Sequence, residues 1–364
     1  MSLRQLNSED AAATIEFAIQ TKQPIFVHGT MGIGKTAVLT QVAKKLNRQL
    51  VVIILSSKDS TDICGIAFYN PATNRMDYAP PVDLPMEIDS NAIVFFDEMN
   101  GADPSVLKPC YQVIHGHKIG VHTLSKDIDF VAAGNLSSDS SATFRLLAPL
   151  ANRFAHIEMI SDFQSWLKQF AIPARIDPSI IGYLTENPHE LHTYNPKFPD
   201  EKAFATSRSW ESVDKAVKYA QAALVNNTPV SESVLTDAIC SRIGEGLGIK
   251  FVAHRNRTYN LPSPIEVLSG KVTTLETKDI SAKYSLITSL CYLLADSKEK
   301  DCFKDYISNF FLFLLENMEV EFCILGVRMC SKNFGIQFPS SPAFSKFSQR
   351  YGQMMADIHN SNLV

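Results

Sequence analysis

A glycine-rich segment near the amino terminus constrains the fold of this chain more than any other feature. Residues 29–36 read GTMGIGKT and match the pattern G-x-x-x-x-G-K-[ST] without a gap. The apolar run Ile25-Phe26-Val27 precedes the segment, and apolar residues at helical spacing follow it. The sequence therefore predicts a strand, a tight loop and a helix in that order.

This segment predicts a binding site for a nucleoside triphosphate. Glycines let backbone N–H groups curl around phosphate oxygens, and the positive end of the following helix attracts them. Lys35 would reach the β- and γ-phosphates, and the Thr36 hydroxyl would hold Mg²⁺. The other candidate binding residues line the loop and the start of the helix: Gly29, Thr30, Met31, Gly32, Ile33, Gly34 and Ala37. The alternative is a chance glycine turn, which the flanking strand and helix disfavour.

Composition restricts the class of protein. The 364 residues are 45% hydrophobic and 20% charged, which is typical of a soluble globular protein of two or three domains. The net charge of −4 gives no support to a broadly basic surface for nucleic acid or membrane, although it leaves open a local basic patch lining a pore. Seven cysteines without a C-x-x-C pair favour reduced thiols and a cytoplasmic location. The sequence contains no apolar run of the roughly 18 residues that span a bilayer and no signal-peptide pattern.

The alternation of predicted strands and helices up to residue 160 favours an α/β fold. Continuous apolar runs of strand length lie at Val51–Leu55, Ala92–Phe96 and Phe130–Ala133, as expected for parallel strands covered on both faces. Beyond residue 160 the apolar spacing becomes helical. We therefore predict an α/β nucleotide-binding domain at 1–160, a helical lid at 161–228 and a mainly helical region at 229–364.

Two carboxylates and an amide follow predicted strands. Asp97 and Glu98 end the run that begins at Ile93, where the first carboxylate can orient Mg²⁺ and the second can polarise a water for attack on the γ-phosphate. The alternative for this pair is an acidic helix start. Asn135 ends a third strand, and its neutral amide can hold the attacking water or touch the γ-phosphate; its alternative is a turn residue.

Three arginines are candidates for stabilising transition-state charge. Arg153 precedes the strand Phe154–Met159, and a guanidinium from a neighbouring subunit can neutralise charge in phosphoryl transfer. Arg145 lies eight residues earlier, and Arg208 begins the helix that contains Trp210. The alternative for Arg153 is a surface salt bridge, and the alternative for Arg208 is a solvated helix end.

Together these motifs resemble the AAA+ ATPases of the MoxR family. The similarity rests on Gly29–Thr36, on Thr61-Asp62-Ile63-Cys64-Gly65 as D-x-x-G, on Asp97–Ala102 as D-E-x-N-x-A, on Leu150–Phe154 as L-x-x-R-F, and on Gly134-Asn135 and Ser207-Arg208. The resemblance implies that Asn135 is the sensor-1 residue, Arg153 the arginine finger and Arg208 the sensor-2 arginine. It leaves open whether Arg208 acts on its own nucleotide or on a neighbour's.

The same resemblance implies a function. A MoxR-type protein would hydrolyse ATP with Mg²⁺ in a ring, commonly a hexamer, with ATP at the subunit interfaces. Its work would be chaperone-like remodelling or maturation of a partner protein, together with a von Willebrand factor A domain partner. The alternative is a nucleic-acid motor or loader in replication or restriction, which the acidic balance disfavours. A nucleotide-switched binding module with little turnover is a third possibility, and Glu98 and Arg153 count against it.

Two loops are candidates for contact with a client protein. Residues 62–85 contain Phe68, Tyr69 and Tyr78, and residues 115–124 contain three histidines. The resemblance places both loops at a central pore. The aromatic side chains would either grip an extended chain or pack the insertion onto its own domain. We expect the histidines to be exposed on a hairpin rather than bound to metal, because no cysteine or carboxylate cluster accompanies them at ligand spacing.

Overall fold

The computed structural model describes residues 3–119, 122–136, 139, 148–198, 200–258 and 261–360. The chain forms two compact units. The first comprises the described residues up to Ser165 together with His192–Lys202 and Thr206–Arg208, and the second comprises Trp166–Leu191, Ala203–Ala205 and the described residues from Ser209. This division has no boundary near residue 228. The predicted separation of a lid from a carboxyl-terminal region therefore stays a prediction.

A six-stranded parallel sheet forms the centre of the first unit. The strands along the described part of the chain are β1 Gln5–Leu6, β2 Ile25–His28, β3 Leu50–Ile54, β4 Ile66–Asn70, β5 Arg75–Ala79, β6 Ile93–Asp97, β7 Lys118–Ile119, β8 His122–Thr123, β9 Asp129–Gly134 and β10 Ala155–Met159. The order in the large sheet is β1-β10-β2-β9-β6-β3, while β4-β5 and β7-β8 form separate antiparallel hairpins. The predicted parallel sheet is confirmed.

Helices cover this sheet. Those of the first unit are α1 Ser8–Gln20, α2 Lys35–Lys45, α3 Ser60–Cys64, α4 Pro104–Gly116 and α5 Ala148–Ala151. One buried cluster joins the side chains of α1 and α2 to one face of the sheet, and it includes Ile15, Val38 and Phe95. A second cluster joins α4 to the other face through Val106, Phe96 and other apolar residues. Helices on both faces bury the central strands, as expected for a parallel sheet.

The expectation that the run Val51–Leu55 is covered on both faces is wrong. Strand β3 is the last strand of the sheet, and among the described strands it pairs only with β6. Val52 is 44% exposed and Ile54 is 46% exposed, whereas Ile53 between them is buried. An edge strand with one covered face explains this alternation, which an unbroken apolar sequence conceals.

The rest of the described chain is helical, which confirms the predicted change in character. Its helices are α6 Phe163–Trp166, α7 Pro178–Glu186, α8 Ser207–Val225, α9 Glu232–Ile243, α10 Glu245–Thr258, α11 Pro264–Leu268, α12 Ile280–Asp296, α13 Phe303–Asn317, α14 Val320–Arg328 and α15 Pro342–Asn360. In the second unit, the largest fully buried side chains include Trp210, Phe251 and Phe310. Among the described residues, no helix is both long enough and apolar enough to cross a membrane.

Candidate functional site

The phosphate loop connects β2 to α2 and presents free backbone donors. Gly34 precedes the helix with a φ of 96°, a left-handed conformation that glycine adopts without steric cost. The first helical bond of this turn runs from the Val38 N–H to the Gly34 carbonyl, at 3.0 Å. The N–H groups of Lys35, Thr36 and Ala37 therefore precede the helical ladder and are available to an anion.

Gly29 holds the start of the loop against the neighbouring strand. A Cβ atom at this position would lie 2.7 Å from the carbonyl oxygen of Met159 and 2.6 Å from Cδ1 of Ile33. No larger residue fits there without moving the backbone, so the loop keeps its close approach to β10.

Lys35 points into the centre of the site. Its Nζ donates to the carbonyl oxygens of Gly29 and Thr30 at 2.7 and 2.9 Å, and to Oδ1 of Asn135 at 3.1 Å. Burial lowers the pKa of Lys35 to about 8, against the opposing effect of the Asp97 carboxylate. A buried ammonium that donates to neutral oxygens is a suitable partner for a phosphate, because the phosphate would supply the negative charge that stabilises the protonated amine.

The donor set for Mg²⁺ is assembled from two elements. Oγ1 of Thr36, in the first turn of α2, donates to Oδ2 of Asp97 at 3.0 Å. Asp97 ends β6, and its other oxygen accepts from the Glu98 N–H at 2.9 Å. A hydroxyl and a carboxylate oxygen this close are hard ligands of the kind that Mg²⁺ prefers, so the residues present fit that ion.

Glu98 lies beside this pair in an unusual backbone conformation. Its φ of 53° is positive, which is uncommon outside glycine and is often found at functional positions. The side chain is exposed, and its Oε2 accepts a hydrogen bond from Oγ of Ser56, which follows β3. The contact with Ser56 could not be predicted from the sequence, because β3 becomes the neighbour of β6 only through the strand order.

Asn135 is fixed by Asn100, a residue to which we assigned no role from the sequence. Nδ2 of Asn100 donates to the Asn135 carbonyl at 2.7 Å, and the Asn135 N–H donates to Oδ1 of Asn100 at 3.1 Å. Gly134 permits this contact, since a Cβ there would lie 2.2 Å from Oδ1 of Asn100. Asn100 stands inside the D-E-x-N-x-A motif, which was the available signal.

Arg153 lies at the opposite end of the strands from the phosphate loop. Ala155 pairs with Ile25, the first residue of β2, while the phosphate loop follows the last residue of that strand. At about 3.3 Å per residue, the four residues from Ile25 to Gly29 separate the two levels by roughly 13 Å. Arg153 is exposed, and its guanidinium contacts Tyr111 of α4, with Nη2 3.4 Å from the hydroxyl oxygen. The structure therefore does not bring Arg153 to the phosphate loop of its own chain.

Arg208, Thr206 and His192 belong to the same compact unit as the phosphate loop. The positive charge of Arg208 contributes to the lowered pKa of Lys35, after burial. Thr206 packs so closely that a Cβ on Gly32 would lie 2.8 Å from the Thr206 side chain. His192 was missed by the sequence analysis: both of its ring nitrogens are buried without a hydrogen-bond partner in the structure, and burial followed by the charge of Lys35 lowers its pKa. Arg145 lies outside the described residues.

The two predicted client loops contact each other. Residues 62–85 contain the β4-β5 hairpin, in which Phe68 is 44% exposed and Tyr69 is 57% exposed. In the second loop, Nε2 of His122 lies 2.6 Å from the Tyr78 carbonyl oxygen. The expectation of exposed hairpin histidines is wrong for His122, which is half-buried, and His117 is likewise half-buried, with Nε2 3.2 Å from the Ile128 carbonyl.

Comparison with known proteins agrees with this geometry. Residues 24–154 match the model of the AAA domain of the dynein-related subfamily. Midasin of Dictyostelium discoideum is 34% identical over 99 residues, a match that covers 27% of this chain but only 2% of Midasin.

Two solved structures show weak likeness. A proposed ATPase from Cytophaga hutchinsonii has 16% identity and a TM-score of 0.36, covering 69% of this chain and 89% of that protein. The RuvB Holliday junction branch migration motor of Thermotoga maritima has 14% identity and a TM-score of 0.36, covering 68% and 67% of the two chains. These scores are too low to indicate a function. The sequence match over residues 24–154 and the arrangement of strands and loop agree with the AAA+ phosphate-loop fold.

Proposed function

We propose that this chain hydrolyses ATP with Mg²⁺. The observation that carries the proposal is the convergence of four side chains at the carboxyl ends of β2, β6 and β9. Lys35 donates to Asn135 at 3.1 Å, and Asp97 accepts from Thr36, the residue after Lys35, at 3.0 Å. Glu98 follows Asp97 directly. Groups that bind phosphate, hold a metal and polarise water are the set that phosphoryl transfer to water requires.

Each residue has a distinct task in this proposal. The loop amides and Lys35 bind the phosphates, and Thr36 and Asp97 hold Mg²⁺, which when bound would neutralise charge on the phosphate oxygens. Glu98 accepts a proton from the attacking water, and Asn135 orients that water. Arg208 contacts the phosphates of its own chain's nucleotide, a choice supported by the close packing of Thr206, two residues earlier, against Gly32 of the loop.

Arg153 completes the site of a neighbouring subunit. Its position at the amino edge of the sheet supports this role, because the side chain is too short to cover the separation of roughly 13 Å from its own loop. A ring of identical subunits, hexameric in the proposal, repeats the same contact at every interface. Each phosphate loop then faces the Arg153 edge of the next copy.

We further propose that ATP turnover remodels a partner protein, as in the MoxR family. The exposed Phe68 and Tyr69 of the β4-β5 hairpin support a contact with a protein client, since aromatic side chains bury large areas on binding. The hydrogen bond from His122 to Tyr78 joins this hairpin to β7-β8, so the two loops would act together. A partner with a von Willebrand factor A domain is part of this proposal.

A complementation assay tests the proposed active site. Lys35→Ala removes phosphate binding from a subunit, and Arg153→Ala removes its contribution to the next subunit. We expect each variant alone to lose at least about 100-fold in ATP hydrolysis rate. Mixed, they should recover part of the activity, because some interfaces then combine an intact loop with an intact Arg153. Phosphate release at several mixing ratios is the measurement, and absence of recovery at every ratio would contradict the shared site.

A further inference from the structure

A pair of histidines connects the phosphate loop to the turn that carries Arg153. His28 is the last residue of β2 and directly precedes Gly29, while His156 lies on the adjacent strand β10. Nε2 of His28 lies 2.9 Å from Nδ1 of His156, and Nε2 of His156 lies 2.7 Å from the carbonyl oxygen of Ala151. A continuous chain of hydrogen bonds therefore runs from the loop to α5.

The chemistry of the groups sets the direction of these bonds. A carbonyl oxygen can only accept, so Nε2 of His156 carries a proton; in the tautomer that carries only this proton, Nδ1 accepts from Nε2 of His28. Burial is the largest cause that lowers the pKa of His28, to about 4. His28 is therefore neutral near pH 7. Phe26 supports the pair, with its ring centre 4.3 Å from that of His28 and 5.7 Å from that of His156.

The carbonyl at the end of this chain belongs to the turn before Arg153. Besides His156, it accepts from the Phe154 N–H at 3.2 Å, and the Arg153 N–H donates to the Leu150 carbonyl at 3.1 Å. These bonds bracket Arg153 on both sides. Because His156 holds the turn from β10, the direction in which the backbone presents the guanidinium depends on that imidazole.

We propose that His156 is a positioning residue for Arg153 and that His28 links it to the phosphate loop of the same subunit. This inference rests on the proposed function, in which Arg153 acts on the neighbour's nucleotide. In the proposed ring, a shift of the phosphate loop in one site therefore moves the Arg153 that the same subunit presents to the next site. Neighbouring sites are then coupled through two imidazoles and one carbonyl.

The complementation mixture separates this role from a local one. In a mixture of Lys35→Ala and Arg153→Ala subunits, the first kind donates the arginine and the second accepts it. We place His156→Phe in the donor alone or in the acceptor alone, because phenylalanine keeps the ring volume and removes both hydrogen bonds. In the donor, whose own site is already inactive, we expect the recovered ATPase rate to fall roughly ten- to a hundredfold. In the acceptor we expect a change of less than about threefold.

Two further donor variants sharpen the test. His156→Gln can donate to the carbonyl and accept from His28, so it should restore at least about half of the rate that the phenylalanine variant loses. His28→Phe in the donor should also reduce the recovered rate, although that residue contacts neither Arg153 nor the neighbour's nucleotide. Circular dichroism of each donor checks that the chain folds, and His156→Leu, which also removes both hydrogen bonds, replaces the phenylalanine variant if that chain does not fold.

The outcomes distinguish this inference from the proposal beneath it. A parent mixture that recovers no activity overturns the shared site and the positioning role together. If the parent mixture recovers activity, two results overturn the positioning role alone. Either His156→Phe impairs the mixture equally in donor and acceptor, or it has no effect in the donor. If the phenylalanine donor does not fold, a recovered rate that falls more with His156→Leu in the donor than in the acceptor supports the role, and equal effects overturn it.

Discussion

Replacement of Asn100 tests how the site holds Asn135. The Asn100 side chain is only 9% exposed and makes two hydrogen bonds to the backbone of Asn135, at 2.7 and 3.1 Å. Asn100→Ala removes both bonds and leaves the Asn135 N–H and carbonyl without these partners. The Lys35 ammonium, which donates to Oδ1 of Asn135, would lose a fixed neighbour as well.

The expected cost follows from those two backbone groups. A buried polar group without a partner costs about 1–3 kcal/mol, so two of them cost about 2–6 kcal/mol. Asn135 is only half-buried, and water reaching one group reduces the loss. We therefore expect the free energy of unfolding to fall by about 2–4 kcal/mol. Displacement of the Asn135 side chain by about 1 Å should also lower kcat for ATP hydrolysis by tenfold or more.

Denaturant unfolding and steady-state ATPase assays measure the two effects. Asn91→Ala is the matched control, because Asn91 is an exposed asparagine just before β6 and its substitution should change stability by less than about 0.5 kcal/mol. Asn100→Asp keeps the side-chain volume but turns a carboxylate toward the Asn135 carbonyl, so it should be no more stable than Asn100→Ala. An Asn100→Ala protein within about 0.5 kcal/mol of the parent, with unchanged kcat, would refute this reasoning.

Two other predictions concern the charged groups of the site. Glu98→Gln should retain ATP binding and lose at least about 100-fold in kcat, because Lys35, Thr36 and Asp97 remain while the proton acceptor is lost. Equilibrium binding and phosphate release measure the two effects. Turnover at the parent rate would exclude Glu98 as the base. ATP affinity should weaken as the pH rises from about 7 to about 9.5, because the pKa of Lys35 is lowered to about 8 and a bound triphosphate favours its protonated form. Titration of ATP binding at several pH values should show this trend in the parent and a flatter profile in Lys35→Arg, whose side chain stays protonated.

Local sequence patterns predicted the elements that short-range geometry determines. The phosphate loop needs glycines and a lysine at fixed spacing within one turn, so eight adjacent residues specify it. The helices Ser8–Gln20 and Pro104–Gly116 depend on equally local signals, since the Asn7 and Asp103 caps and the apolar spacing act within a few residues. The assignment of Thr36, Asp97, Glu98 and Asn135 to one site remained a prediction from motif order.

Contacts between distant segments were not readable in this way. Val52 and Ile54 are exposed because β3 takes the edge of the sheet, although their sequence is as apolar as that of a central strand. Ser56 approaches Glu98 and Asn100 holds Asn135 only because β3, β6 and β9 are neighbours. Periodicity in a single chain reports which face of a strand is apolar, and it contains no information on which strand lies beside it.

The sequence by itself determined that the chain has a phosphate loop between a strand and a helix, within an α/β fold followed by helices. Only the tertiary structure decided that Arg153 lies at the other end of the strands from that loop. It also decided that His28 and His156 connect the end of β2 to the turn before Arg153. The physical reason is the parallel register of β10 with β2: it puts the start of one strand beside the start of the other, and the loop at the opposite end.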